Sequence, residues 1–151
     1  MQASIIIPVY NEHETIRQTL LCLIESVRKA GWQCEMIVVD SSPDDRTADV
    51  VGSLTAESGA PISILRPAGK TYAGRARNLG VAQSRCDLIA FLDAGVYVEP
   101  DWFIELARPF EQPDPPDLVW GRSLFRPGNA WERSYVRSFY RQGYTRRFIR
   151  S

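Results

Sequence analysis

The sequence predicts an α/β domain, a mostly parallel sheet with helices on both of its faces, followed by a basic helical tail. Three observations predict it. Short apolar runs alternate with amphipathic helical stretches over residues 1–121, in the order β-α-β-α-β-α-β-α-β, and such alternation implies right-handed crossovers between parallel strands. The strand-like runs are apolar throughout rather than every second residue, as expected where both sheet faces are covered. Charge is divided unevenly. Residues 1–121 carry 17 acids against 10 bases, and residues 122–151 carry one acid, Glu132, against eight arginines. That split marks off the tail from the body.

Each element has its own signature. Residues 4–9, SIIIPV, form a buried strand, with Pro8 near its end because proline lacks an N–H for the ladder. Residues 14–29 form a helix on the spacing of Ile16, Leu20, Leu23 and Val27, with Asn11 as its cap and Gly31 after its end. Residues 35–40, EMIVVD, form a second strand that ends on Asp40. The polar turn 41–45 then leads into a weaker helix over 47–57. Residues 61–66 make a third strand, 67–72 a loop holding Gly69 and Lys70, and 73–84 a third helix in which Gly74 and Gly80 lower the propensity. The run 88–92, LIAFL, is long enough for one buried strand and leads to Asp93, Ala94 and Gly95. A fourth helix spans 100–110 with Pro100 in its first turn, and 118–121 begin a fifth strand.

The whole chain bounds the function classes. At 151 residues, 44% apolar and 24% charged, it is one ordinary globular domain with zero formal net charge. The three cysteines, Cys22, Cys34 and Cys86, are odd in number and widely spaced, and read as buried free thiols of a reducing compartment. No apolar run reaches the ~18 residues of a membrane span, and no basic region leads into an apolar one at the amino end. The expected location is cytoplasmic. Motifs for dinucleotide, P-loop and serine-hydrolase chemistry are missing: GRARNLG does not have the GxGxxG spacing, and neither GxxxxGK[ST] nor GxSxG occurs.

In an open α/β sheet, ligands gather outside the carboxyl ends of the strands. Glu12, Asp40 and Asp93 all follow strands and so fall on that edge. A nucleotide there has Tyr10 as a ring to lie against and Asp40 as an acceptor for a base N–H or ribose hydroxyl. Lys70, Arg75 or Arg77 can neutralise a diphosphate, and Asp93 can hold a divalent cation.

Taken together, SIIIPVYNE, IVVDSSPDDRT, ARNLG, DLIAFLDAG and PDW resemble the nucleotide-binding half of the family 2 inverting glycosyltransferases over residues 4 to 125. The resemblance implies a Rossmann-like GT-A fold, a nucleotide-sugar donor and a Mg²⁺ or Mn²⁺ ion. Residue by residue, it puts Pro8, Tyr10 and Glu12 around the base and ribose, and Asp40 near the base. Arg77 and Asn78 fall beside the donor, and Asp93 becomes the first acid of the metal motif. The domain so defined is 1–121.

Three departures stand out. The acidic pair expected after the second strand is Asp40-Ser41, so one base contact is lost or passes to a hydroxyl. The metal motif reads Asp93-Ala94-Gly95 and lacks its second acid. An inverting transferase needs a base to deprotonate the acceptor, yet after Asp117 the chain offers only Glu132, so the catalytic residue is unassigned. The leading expectation is transfer of a sugar to an unknown, lipid-linked or polysaccharide acceptor by the front part of a transferase. A non-catalytic donor-binding fragment and a nucleotidyltransferase are the alternatives. The tail, WERSYVRSFYRQGYTRRFI, reads as a helix packed on the body. Its other readings are an amphipathic contact with anionic lipid at the inner face of the membrane and, as the weakest, phosphate contact on nucleic acid.

Overall fold

The computed structural model describes residues 1–121. Four strands, β1 (Gln2–Val9), β2 (Gln33–Asp40), β3 (Ile62–Leu65) and β4 (Leu88–Phe91), make one sheet in the order β3-β2-β1-β4. Every pairing is parallel. Helices α1 (Ile16–Ala30), α2 (Arg46–Ser58) and α3 (Ala73–Gln83) are the crossovers between successive strands.

Register decides which face each residue serves. Ile6 pairs with Ile37 and Pro8 with Val39, so these four share one face, and there Ile6, Ile37 and Val39 pack with Ala76 of α3. Residues one step along, Ile5, Ile7, Met36 and Val38, point to the opposite face, which α1 and α2 cover with Ile16, Leu20, Leu23, Val51 and Leu54, all fully buried. Gly80 explains itself on the first face. A Cβ there would overlap the side chain of Ile6, so the residue that lowers α3 propensity is the one that lets α3 close on β1.

The expected elements form, with four corrections. The 88–92 run is not a buried strand. It stops at Phe91, which is 48% exposed, because among the described residues β4 is the sheet's edge and only β1 flanks it. Asn11 does not cap α1. It adopts a positive φ of 58°, and Thr15 takes the cap position without a side-chain cap bond. The fourth helix is shorter: α4 (Trp102–Ala107) passes into a 3₁₀ turn at Arg108–Glu111, where Pro109 has no N–H to continue the α pattern. The fifth strand is reduced to a single bridge residue, Leu118. Of the cysteines, all free, only Cys34 is buried. The basic tail and Glu132 lie outside the described residues.

Residues 1–104 form one compact unit, and among the described residues 105–121 belong to a second. Within the first unit the start of α4 is tied to α1. The Phe103 N–H donates to Ser26 Oγ at 3.0 Å, and Lys29 Nζ pairs with Asp101 Oδ1 at 2.6 Å. Trp32 meets the Phe103 ring edge-on, with 5.5 Å between centroids. No helix among the described residues is long and apolar enough to cross a membrane.

Candidate functional site

The parallel sheet brings the β1 and β2 tips side by side, and a polar network knits them together. Asp40 is the last residue of β2, and its side chain is fully buried. Its Oδ1 accepts from the Ser42 N–H at 3.0 Å and from Ser42 Oγ at 2.5 Å, an Asx-type turn that fixes the carboxylate. Ser42 Oγ in turn accepts the Asn11 N–H at 2.8 Å, which joins the β1 tip to the β2 tip. The other carboxylate oxygen, Asp40 Oδ2, is buried and has no hydrogen-bond partner. Arg66 Nε lies 3.8 Å away, beyond hydrogen-bond length.

Arg66 is held elsewhere. It pairs with Asp45 and donates to the carbonyls of Asp44 and Ser42 at 2.9 and 3.3 Å. The hydrogen bond to Asp45 keeps its guanidinium even more firmly protonated than usual. Ser41, the departure from the expected acidic pair, does not take over a base contact as a donor. Its hydroxyl proton is shared between the carbonyls of Thr71 at 3.2 Å and Val9 at 3.3 Å. These bonds pull the loop after β3 against the β1 and β2 tips. Tyr10 stands at the mouth, 39% exposed, with Lys70 Nζ 4.5 Å from its ring centroid, a cation–π contact. Pro8 is half-buried near the end of β1.

The other side of the edge is built around Asp93, two residues beyond the end of β4. Its carboxylate is 60% exposed, and Arg77 Nη2 donates to its Oδ1 at 2.5 Å. Asn78 is exposed beside Arg77 on α3. Gly95, at the position of the missing second acid, has a φ of 79° and donates its N–H to Thr19 Oγ1 at 3.1 Å. Glu12 comes close: its Oε2 lies 3.9 Å from where a Gly95 Cβ would stand, and it accepts from the Thr15 hydroxyl.

A hard divalent cation takes six or so oxygens. Among the described residues, no three Asp, Glu, His or Cys side chains come together to hold one. The second-acid position has no side chain, and Asp93 is engaged by Arg77. This donor set does not fit a divalent cation.

The structure therefore brings Tyr10, Asp40, Glu12, Asp93 and Arg77 to one sheet edge, in two clusters. Sequence reasoning missed Ser42, the bridge between strand tips, and Thr15 and Thr19, which hold Glu12 and Gly95. A serine two residues after a strand-terminal aspartate was the available signal for Ser42. Nothing in the sequence marks the two threonines apart from other helical residues.

Comparison with known proteins gives this edge its context. Undecaprenyl-phosphate 4-deoxy-4-formamido-L-arabinose transferase of Pseudomonas paraeruginosa (strain DSM 24068 / PA7) is 30% identical over 132 residues, covering 86% of this chain and 38% of that protein. The mannosyltransferase PcManGT from Pyrobaculum calidifontis, solved with GDP-Man and Mn²⁺, superposes with a TM-score of 0.66 at 19% identity, covering 74% of this chain and 32% of that one. S. aureus TarS 1-349 with UDP-GlcNAc gives a TM-score of 0.62 at 23% identity, covering 74% and 31%. These likenesses establish the GT-A fold. The chain spans about a third of the length of the curated relatives it matches. The sequence pattern of "Glycosyl transferase family 2" matches residues 4–150. A match that runs from the first strand through nearly the whole sequence describes the chain rather than one motif: it belongs to glycosyl transferase family 2.

Proposed function

We propose that this chain binds a nucleotide-sugar donor at the carboxyl edge of its sheet. In this reading it forms the donor half of a transferase that passes the sugar, with inversion, to an acceptor hydroxyl or phosphate. The observation that carries the reading is Asp40 Oδ2, a buried carboxylate oxygen without a hydrogen-bond partner. A buried acceptor left unmade costs about 1–3 kcal/mol, so a fold that keeps one has a use for it. Uracil, thymine and guanine each present a ring N–H that such an oxygen accepts, and adenine and cytosine do not. The base would lie against Tyr10 and reach Oδ2 from the side of Arg66.

The other residues follow from this placement. Pro8 and Glu12 flank the ribose, and Arg77 and Asn78 face the diphosphate. Asp93 sits where the sugar joins it. Ser42 keeps Asp40 in register with the β1 tip. No step is assigned to a cation. An acceptor hydroxyl would need a general base, which we do not assign, whereas a phosphate acceptor is already ionised. The acceptor we favour is a lipid phosphate, as in the name of the Pseudomonas relative. The eight arginines of residues 122–151 would serve it by meeting phosphate and an anionic membrane surface at the cytoplasmic side.

Calorimetric titration of the chain with UDP-, GDP-, dTDP-, ADP- and CMP-sugars tests the reading. Saturable binding is expected for one or more of the first three and for neither of the last two. A folded chain that binds none of them is not a donor-binding protein.

A further inference from the structure

The β4 tip offers a diphosphate something other than a metal ion. A side-chain acid at position 95 would have to adopt the positive φ of Gly95, a conformation that residues other than glycine rarely take. Glu12, the nearest other carboxylate to that position, is engaged by Thr15. That leaves Asp93, whose one hydrogen-bonded oxygen, Oδ1, receives Arg77.

An arginine fork has five N–H donors in a rigid plane, and its pairing with one carboxylate orients the rest. Asp93 occupies one terminal nitrogen, Nη2, and the remaining N–H groups have no partner among the described residues. A second cation stands at the β1 side of the same edge, Lys70, poised over Tyr10. Arginine and lysine perform the electrostatic task of a divalent cation on phosphoryl oxygens when they are preorganised.

We propose that this chain holds its donor's diphosphate with Arg77, oriented by Asp93, and with Lys70, in place of a divalent cation. The inference rests on the donor-site reading above. It makes Arg77 a ligand-binding residue and Asp93 its positioning residue.

The two ways of using Asp93 predict opposite results. UDP, GDP and dTDP are titrated calorimetrically into the full chain, once with EDTA and once with Mn²⁺, and Mn²⁺ alone is titrated while its free-ion electron paramagnetic resonance signal is followed. The expected result is saturable nucleotide binding whose affinity agrees within about threefold with and without Mn²⁺. Mn²⁺ alone should show no saturable binding. Arg77→Gln should weaken nucleotide binding by about tenfold or more in EDTA, the value of a charge-assisted hydrogen bond, and Arg77→Lys should recover part of the loss. Circular dichroism and melting temperature establish that each variant is folded. Binding that Mn²⁺ tightens by about tenfold or more, that Asp93→Asn returns to its metal-free value and that Arg77→Gln leaves intact would overturn the inference while the donor site stands. No nucleotide binding in either condition overturns both.

Discussion

The two ends of β2 treat a carboxylate in opposite ways. At the amino end, Glu35 is fully satisfied. Its Oε1 accepts from Ser4 Oγ at 2.6 Å and from the Arg85 N–H at 2.7 Å, and its Oε2 accepts from Arg85 Nε at 3.1 Å. At the carboxyl end, Asp40 has one oxygen anchored twice by Ser42 and the other left without a hydrogen-bond partner, with Arg66 Nε 3.8 Å away as its ion pair. Both residues come from the same strand; the Asp40 side chain is fully buried and that of Glu35 is 16% exposed. The difference separates structure from function within one element: the fold completes the carboxylate it needs for itself and leaves incomplete the one reserved for a ligand.

Asp40→Asn breaks the comparison most sharply. The substitution keeps an oxygen for Ser42 and replaces the orphan acceptor with an amide that can only donate. It is expected to cost about ten- to a hundredfold in affinity for the nucleotide that binds, since two donors would then face each other in a buried site. Melting temperature should stay close to that of the unmodified chain. Retained affinity would mean that Oδ2 is left open for no ligand.

Glu35→Ala is the mirror experiment. It strands the fully buried hydroxyl of Ser4 and frees Arg85, and is expected to lower the unfolding free energy by about 1–3 kcal/mol in urea titration. Nucleotide affinity should not change. A loss of binding without a loss of stability would make the two ends of the strand equivalent and remove the distinction.

What the sequence allowed follows the same division. The strands and helices were legible because burial writes itself as periodicity: the IIIPV and MIVVD runs, and the spacing of Ile16, Leu20, Leu23 and Val27, leave little choice. The positions of Glu12, Asp40 and Asp93 on one edge followed from parallel topology, and that of Arg77 from the family resemblance. The strand order was not legible, and that is why the LIAFL run passed for a buried strand when β4 lies at an edge. The satisfied or orphaned state of each acid was equally hidden. It depends on partners far along the chain, such as Arg85 for Glu35 and Arg77 for Asp93, which spacing does not encode. Gly80 shows the limit from the other side. As a propensity it counts against α3, and only the approach to Ile6 shows why it is there.

The smallest expected effect is the most specific to Glu35. Burial pushes its carboxyl up, but the bonds from Ser4 and from the Arg85 N–H and guanidinium outweigh burial and hold it below the usual glutamate range. A folded-state value below the unfolded one means that stability is gained on ionisation. The gain is complete above the unfolded value, about 4.3, and is lost as pH falls through the folded value. Asp44 and Glu57 are also lowered, by hydrogen bonds from Arg46 and Arg17, so acid unfolding of the chain alone does not isolate Glu35. The difference between the unmodified chain and Glu35→Gln does, because the exposed pairs are common to both. That difference should be constant above about pH 5 and shrink steadily below about pH 4.3. Glutamine keeps an oxygen for Ser4 and Arg85, so what disappears in acid is the charge-dependent part alone. A difference that persists undiminished to the lowest pH at which the chain stays folded would mean that Glu35 acts through shape and hydrogen-bond geometry, and that its charge has no role in completing the amino end of β2.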